Sequence, residues 1–165
     1  KTRSDKLMAW SKNGTPDTLT SSGTTIEVTD VAGTAFNLFL THHLNTGGTA
    51  KPAWSMNDDA TSQHAERWSL NGGAETTTTS VNFFDPAGAP SEDWFIMGYF
   101  VDISGEEKLF ITSWCRAGAA GAGTAPQRFE HVGKFTGGTI TKFEGIIGGT
   151  GSADTDSNLS LLGTD

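Results

Sequence analysis

Residues 93–116 of this 165-residue chain constrain its fold more than any other segment. They form two apolar runs around a short acidic turn, and the first run is apolar at both odd and even positions. Trp94, Ile96 and Phe100 alternate there with a second apolar set: Phe95, Met97, Tyr99, Val101 and Ile103. A strand with one face in water should instead alternate apolar and polar residues. We therefore expect two strands whose faces are both covered, by two layers of the fold or by another copy of the chain.

Subunit contact is the cover that we expect for the part of this segment that the fold itself leaves exposed. A two-layer sandwich buries only one face of each sheet, so a second apolar face needs a partner. The candidates for such an assembly surface are bulky apolar residues of the two strands: Phe95, Met97, Tyr99, Phe110 and Trp114.

The rest of the chain has the composition of an all-β protein. Glycine supplies 21 residues and threonine 24, whereas Lys, Arg, Asp and Glu make up only 18%. Helical periodicity is almost absent, and turn residues separate short β-branched or aromatic runs. The pattern predicts nine or ten strands, near residues 24–29, 35–44, 53–56, 67–70, 76–84, 93–116 (two strands), 128–135, 139–147 and 158–162. At this length they fit one domain, a jelly-roll-like antiparallel β-sandwich.

The formal charge of −8 is unevenly distributed along the chain. Residues 1–12 contain four basic residues and one acidic residue, a charge of +3, so residues 13–165 carry −11. We interpret residues 1–12 as a basic N-terminal arm, either a docking tail for an acidic surface or a frayed terminus. Residues 13–165 form the sandwich domain, whose negative charge should repel nucleic acid. No run of about 18 apolar residues is present, so we expect no membrane insertion.

The residue types that carry catalysis or bind metals show no recognised spacing. Adjacent strand residues His42 and His43 point to opposite faces, while His64 and His131 are isolated in sequence. No G-x-S-x-G motif occurs, and no spacing sets two carboxylates across a cleft. Cys115, the only cysteine, lies in the second apolar strand and should be a small core residue. We predict neither an enzyme nor a bound cofactor or metal.

Two acidic loops, residues 57–59 and 154–158, carry oxygen side chains of the kind that bind calcium. The second loop places Asp154, Asp156 and Asn158 at every second position, as in the first half of an EF-hand loop. The later glycine and the distal glutamate of such a loop are missing. We expect both segments to be solvated turns that hydrogen-bond to their own backbone.

Five tryptophans are many for a chain of this length, and exposed tryptophans beside Asn or Asp can form sugar platforms. Trp94 and Trp114 lie in the apolar segment and should be packed. Two others flank the polar residues 55–67, which gives the candidate glycan contacts: Trp54, Asn57 and Trp68. A lectin-like carbohydrate-binding module that mediates attachment is therefore the alternative function.

Several short motifs follow one another in a characteristic order. They are Asn57-Asp58-Asp59, Arg67-x-Ser69-x-Asn71-Gly72-Gly73-Ala74-Glu75-Thr76, Glu107-Lys108-Leu109, Gly121-Ala122-Gly123-x-Ala125-Pro126-x-Arg128-x-Glu130-x-Val132-Gly133-Lys134-Phe135, Ile140-Thr141 and Ser157-x-Leu159-x-Leu161-x-Gly163. This order, over about residues 54–163, resembles a loosely defined group of proteins encoded by phages and environmental viruses. The chain departs from that pattern at His64, where an aromatic is expected, and at Phe135, where a tryptophan is commoner.

The resemblance implies a β-sandwich virion protein of the tail-fibre, spike or capsid-decoration type, and it brings no catalytic residues. We therefore expect a non-enzymatic structural protein at the virion surface, which assembles with itself as a trimer and with other virion proteins. Surface glycans are the partners in the lectin-like alternative. The sparse charges of the motifs predict ion pairs that fix strand register. Arg67 or Arg128 should pair with Glu107 or Glu130.

Overall fold

The chain is an all-β protein in a computed structural model that describes residues 9–44, 50–85, 92–118 and 121–165. The described residues form twelve strands: β1 (Ser11–Lys12), β2 (Asp17–Thr18), β3 (Thr25–Val28), β4 (Phe36–His43), β5 (Lys51–Met56), β6 (His64–Leu70), β7 (Thr76–Val81), β8 (Trp94–Val101), β9 (Lys108–Arg116), β10 (Gln127–Phe135), β11 (Phe143–Gly148) and β12 (Asn158–Thr164). A search of these residues for a membrane-spanning helix finds none of sufficient length and apolarity.

The strands form two antiparallel sheets in a sandwich-like arrangement. The large sheet has nine strands in the order β1-β12-β4-β8-β9-β10-β6-β7, with β2 also paired to β12. The small sheet has three strands in the order β3-β11-β5. The predicted all-β class is confirmed, and each predicted strand corresponds to a strand of four residues or more. The jelly-roll connectivity is not established by this strand order.

An aromatic core fills the space between the two sheets. Trp54 of the small sheet contacts Trp114 and Phe39 of the large sheet, with ring centroids 4.3 Å and 5.7 Å apart. Phe143 of β11 stacks on Phe100 of β8 with the centroids 5.7 Å apart. All five side chains are buried, so ring contacts and the removal of apolar area from water hold the sheets together.

The layer order explains why β8 is apolar on both faces. Its inward residues Trp94, Ile96 and Phe100 are buried against the small sheet. Its outward residues are exposed: Phe95, Met97 and Tyr99. The small sheet covers only one face of β8, and no other element among the described residues covers the opposite face of its central part.

Strand β9 also alternates, but Phe110 and Trp114 do not lie on an outer surface as predicted. Each is 1% exposed and faces the core. The same inward face carries Lys108 and Thr112, and a face with polar residues looks solvated in the sequence. Those polar groups find buried partners instead. The outward face of β9 therefore includes Cys115, which is exposed and not a core residue.

The predicted basic arm is only partly described, since residues 1–8 lie outside the described residues. Its last two residues form β1, which pairs with β12 and so belongs to the large sheet. Asn13, which follows directly, anchors this segment from a buried position. Its Nδ2 donates a hydrogen bond to Oδ1 of Asn37 at 2.8 Å, and its Oδ1 accepts one from the backbone N–H of Ala32 at 2.7 Å.

Candidate interaction surface

The outward face of the large sheet carries a contiguous group of exposed and half-buried apolar side chains. We define this outer apolar face by nine residues of β4, β8, β9 and β10: Phe36, Leu38, Leu40, Phe95, Met97, Tyr99, Leu109, Ile111 and Val132. Ile111 is 67% exposed and Phe95 is 49% exposed. Single apolar side chains are normal on a surface, but a contiguous group of them marks an interaction site.

Strand register brings these side chains together. Leu38 pairs with Tyr99, Tyr99 with Ile111, and Ile111 with Val132, so one apolar row crosses four strands. A face four strands wide and about six residues long measures roughly 20 by 20 Å. An apolar patch of about 400 Å² is of the size that is often functional on soluble monomers.

A cleft of about 430 Å³ lies at one end of the outer apolar face. Trp10 forms one wall, with its ring centroid 6.4 Å from that of Tyr99 and the ring planes at 70°. Phe36, Val101, Leu109 and Ile111 also line this cleft, which we call the Trp10 cleft. Because these groups are apolar, the cleft suits an apolar side chain and offers few hydrogen bonds to a sugar.

A charged margin borders the outer apolar face on the side of β10 and β6. It consists of three ion pairs, with N–O distances of 3.0 Å, 3.4 Å and 3.1 Å: Arg67–Glu75, Arg128–Glu130 and Lys134–Glu107. Every side chain in the margin is between 42% and 61% exposed. Such pairs add little stability, but three positive and three negative charges make this margin neutral in an acidic protein.

The predicted ion pairs are present only in part. Arg128 pairs with Glu130 as expected, whereas Arg67 pairs with Glu75 and Glu107 pairs with Lys134. Arg128 and Glu130 are two residues apart on one strand, so their contact cannot fix the register between strands.

The buried polar contacts that sequence reasoning missed lie on the inward face of β9 and its neighbours. The Nε2 atom of His131 is 3.1 Å from Oε2 of Glu66, and its Nδ1 is 3.0 Å from the hydroxyl of Thr112. The indole N–H of Trp114 donates to that hydroxyl at 2.8 Å. One tautomer satisfies all three contacts: Thr112 donates to Nδ1, and the Nε2–H of His131 donates to Glu66.

Thr112, His131 and Glu66 follow the order of a nucleophile, base and acid in a catalytic relay. They are 3%, 2% and 4% exposed, and the rings of Trp54 and Phe84 pack against the imidazole. A relay needs a place about 3 Å from its nucleophile where a reacting atom can sit. Because Thr112 is buried, its hydroxyl has no such place open to solvent, and the arrangement fits a structural network that joins β6, β9 and β10.

Two buried cations, Lys108 and Arg116, also lie on the inward face of β9. Lys108 is 3.5 Å from the carboxylate of Asp102, and its ammonium donates to the carbonyl of Ile103 at 2.9 Å. Arg116 lies 2.8 Å from Glu92 and covers the ring of Trp94 at 5.3 Å. Lys108, Thr112 and Arg116 recur at every fourth position. In a strand this spacing puts all three side chains on one face, so their shared face can be predicted from the sequence.

Burial changes the titration of two other histidines. Desolvation lowers the pKa of His43 to about 4, and the nearby charge of Asp93 only partly opposes this effect. Desolvation also lowers the pKa of His64, and the hydrogen bond between its Nδ1 and the carbonyl oxygen of Val81, which accepts it, only partly opposes this effect. Both imidazoles are therefore neutral components of the core at neutral pH.

The outward side of the small sheet carries a cluster of three carboxylates, those of Glu27, Asp58 and Glu144. Their nearest oxygens lie within 4.8 Å of one another. The ammonium of Lys142 is 2.9 Å, 2.6 Å and 3.2 Å from them. Burial lowers the pKa of Lys142, but hydrogen bonds to Asp58, Glu27 and Glu144 outweigh it and raise the pKa above its usual value. A protonated lysine thus supplies the cation that this cluster needs.

The two loops considered for calcium have partners within the protein. Asn57 and Asp58 both have positive φ, at 59° and 54°, and form a tight turn closed by a 3.0 Å bond from Asp59 N to Met56 O. The amide oxygen of Asn57 accepts hydrogen bonds from two backbone N–H groups of the segment before β11. In the second loop, Asp154 accepts the backbone N–H of Thr155 at 2.8 Å.

The candidate glycan contacts do not form a platform. Trp54 is 2% exposed and lies in the core, because its side chain points from β5 of the small sheet toward the large sheet. Trp68 is half-buried on Phe129, with the ring centroids 6.2 Å apart. Asn57 uses its side-chain amide to hydrogen-bond to the segment before β11. Trp10, which the sequence did not single out, is exposed, at 44%.

Comparison with protein-family models, curated proteins and solved structures finds no match to this chain.

Proposed function

We propose that this protein is a non-enzymatic structural subunit that assembles with copies of itself through the outer apolar face. The observation that carries the proposal is the continuous apolar row from Leu38 to Val132, which the described residues leave at least partly exposed. Two paired apolar faces bury about 400 Å² on each partner. Contacts between parts of their charged margins bring the buried area closer to the roughly 800 Å² per partner that specific interfaces bury.

Charge favours a second copy of the chain over other occupants. Residues 13–165 carry −11, so most surfaces of two copies repel each other. The outer apolar face and its charged margin combine apolar residues with three positive and three negative groups. Like faces can therefore meet there without a net repulsion, whereas an anionic membrane or nucleic acid finds no excess of positive charge.

The place of assembly that we propose is the surface of a virion, as a capsid decoration, spike or tail component. The ordered motifs of residues 54–163 support this placement, because they resemble phage and environmental-virus proteins of that kind. Other virion proteins are then the further partners. The burial of Trp54 and the use of Asn57 in a turn leave the lectin-like alternative without a supporting observation.

Sedimentation equilibrium tests the proposal with Ile111→Asp and a matched control, Thr77→Asp. Both positions lie in the same outward row, since Ile111 pairs with Val132, Val132 with Arg67, and Arg67 with Thr77. We expect Ile111→Asp to weaken self-association by about tenfold or more, while Thr77→Asp leaves it unchanged. A wild-type protein that stays monomeric at micromolar concentration overturns the proposal. Binding to phosphatidylcholine vesicles in place of self-association does so as well.

A further inference from the structure

We infer that two copies pair face to face about a two-fold axis, with Phe95 of each copy inserted into the Trp10 cleft of the other. This inference rests on the proposed self-assembly and adds its geometry. It replaces the expected trimer with a symmetric pair as the unit of contact.

A single flat patch favours a two-fold arrangement. A three-fold ring requires two different complementary surfaces on each subunit, whereas a two-fold contact uses one patch twice. The apolar groups of the outer apolar face lie on one side of one sheet, on adjacent strands. Two such sheet faces can pack at the spacing of about 10 Å that is usual between sheets.

The outer apolar face contains both a projection and a recess that match each other in chemistry. Phe95 is 49% exposed, and its register partner on β9 is the smaller Cys115. The Trp10 cleft, at the other end of β8, has a volume of about 430 Å³ and an apolar lining. An aromatic ring entering an apolar pocket of this size is the kind of anchor that dominates interface energies.

Symmetry then fixes where the axis lies. Phe95 and Tyr99, which borders the cleft, are four residues apart on one strand, or about 13 Å. A two-fold axis that brings Phe95 of one copy onto the cleft of the other must pass near the residue midway between Phe95 and Tyr99. That residue is Met97. Ser113 is the register partner of Met97 on β9, so Ser113 of each copy should lie close to its own counterpart.

Cysteine cross-linking tests this geometry. We replace the native thiol by Cys115→Ser, introduce Ser113→Cys near the axis, and use Thr77→Cys on edge strand β7 as the matched control. A bismaleimide with a span of about 10 Å, the sheet separation, should link the Ser113→Cys protein into a covalent dimer. We expect at least ten times less dimer from Thr77→Cys under the same conditions.

A second variant tests the anchor itself. Phe95→Ala should weaken self-association by about tenfold or more, because it removes a ring and leaves the cleft unfilled. Thermal unfolding of the monomer should change little, since Phe95 lies outside the core.

The outcomes separate the two proposals. Self-association with selective linkage at position 113 and loss of affinity in Phe95→Ala supports the pairing. Self-association in which position 113 links no faster than position 77, or in which Phe95→Ala binds as wild type, overturns this geometry and leaves self-assembly intact. Absence of self-association overturns both.

Discussion

The Nε2 atom of His131 lies 3.1 Å from Oε2 of Glu66, and neither side chain is more than 1% exposed. The same carboxylate accepts the backbone N–H of Asp85 at 3.2 Å. Removing the carboxylate leaves a buried imidazole N–H and a partly buried backbone N–H without an acceptor. We predict that Glu66→Ala lowers the free energy of unfolding by about 3 kcal/mol, measured by urea denaturation. Glu75→Ala, which breaks the exposed pair with Arg67, should cost less than about 1 kcal/mol. Equal costs would show that the buried network does not stabilise the fold.

The buried imidazole of His43 predicts a specific acid sensitivity. Its pKa is about 4 in the folded protein, below the usual histidine value of 6.5. Between these values the unfolded chain binds the proton and the folded chain does not. Stability is therefore fully present above pH 6.5, decreases as the pH falls, and levels off below about 4. The loss should be on the order of 3 kcal/mol.

A neutral replacement isolates the contribution of His43 from the carboxylates that titrate in the same range. We expect the difference in unfolding free energy between wild type and His43→Gln to shift against wild type as the pH falls from 6.5 to about 4. Parallel profiles would refute the prediction.

Gly98 is required by close packing within the large sheet. A Cβ added there would clash with the ring of Phe39, 2.6 Å from its Cζ, and would lie 2.6 Å from the methyl group of Thr112. We predict that Gly98→Ala destabilises the protein by about 1–3 kcal/mol, seen as a lower midpoint in thermal unfolding. Gly138→Ala is the control, because nothing lies within 4 Å of its added Cβ. A wild-type midpoint for Gly98→Ala would mean that Phe39 can move aside at no cost.

Lys142 holds three carboxylates together, and its removal should expose their mutual repulsion. We predict that Lys142→Met lowers stability at pH 7 by more than the roughly 0.5 kcal/mol typical of an exposed pair. Millimolar calcium should restore part of the loss, since the three carboxylate oxygens lie within 4.8 Å of one another. Calorimetric unfolding with and without calcium measures both effects. Lys134→Met, which affects one exposed pair, should show neither, and a calcium response in that variant or in wild type would count against the prediction.

The strands and the apolar outward face of β8 could be predicted from the sequence because alternation is a local signal. Thr76 to Val81 and Asn158 to Thr164 were placed within a few residues for the same reason. Which face of β9 points to the core could not be predicted, since Lys108, Thr112 and Arg116 share a face with Phe110 and Trp114. Their burial depends on partners from other strands or loops, such as His131 and Glu92, which no local pattern reveals.

The candidate surface was predictable on β8 and not beyond it. Met97 and Tyr99 were identified, but their neighbours Ile111 and Val132 required the register between strands. Trp10 was also missed as part of the surface, because its contact with Tyr99 joins residues that are far apart in the sequence.

The carboxylates around Lys142 and the outer apolar face lie on opposite sides of the sandwich, so the two sides of the molecule differ in chemistry. Three negative groups and one positive group give this cluster on the small sheet an excess of negative charge. A positively charged support, such as an anion-exchange resin, should therefore hold the protein by its small sheet. Molecules immobilised in this way would present their hydrophobic sides to the solution, so a second layer of protein could adsorb onto the first.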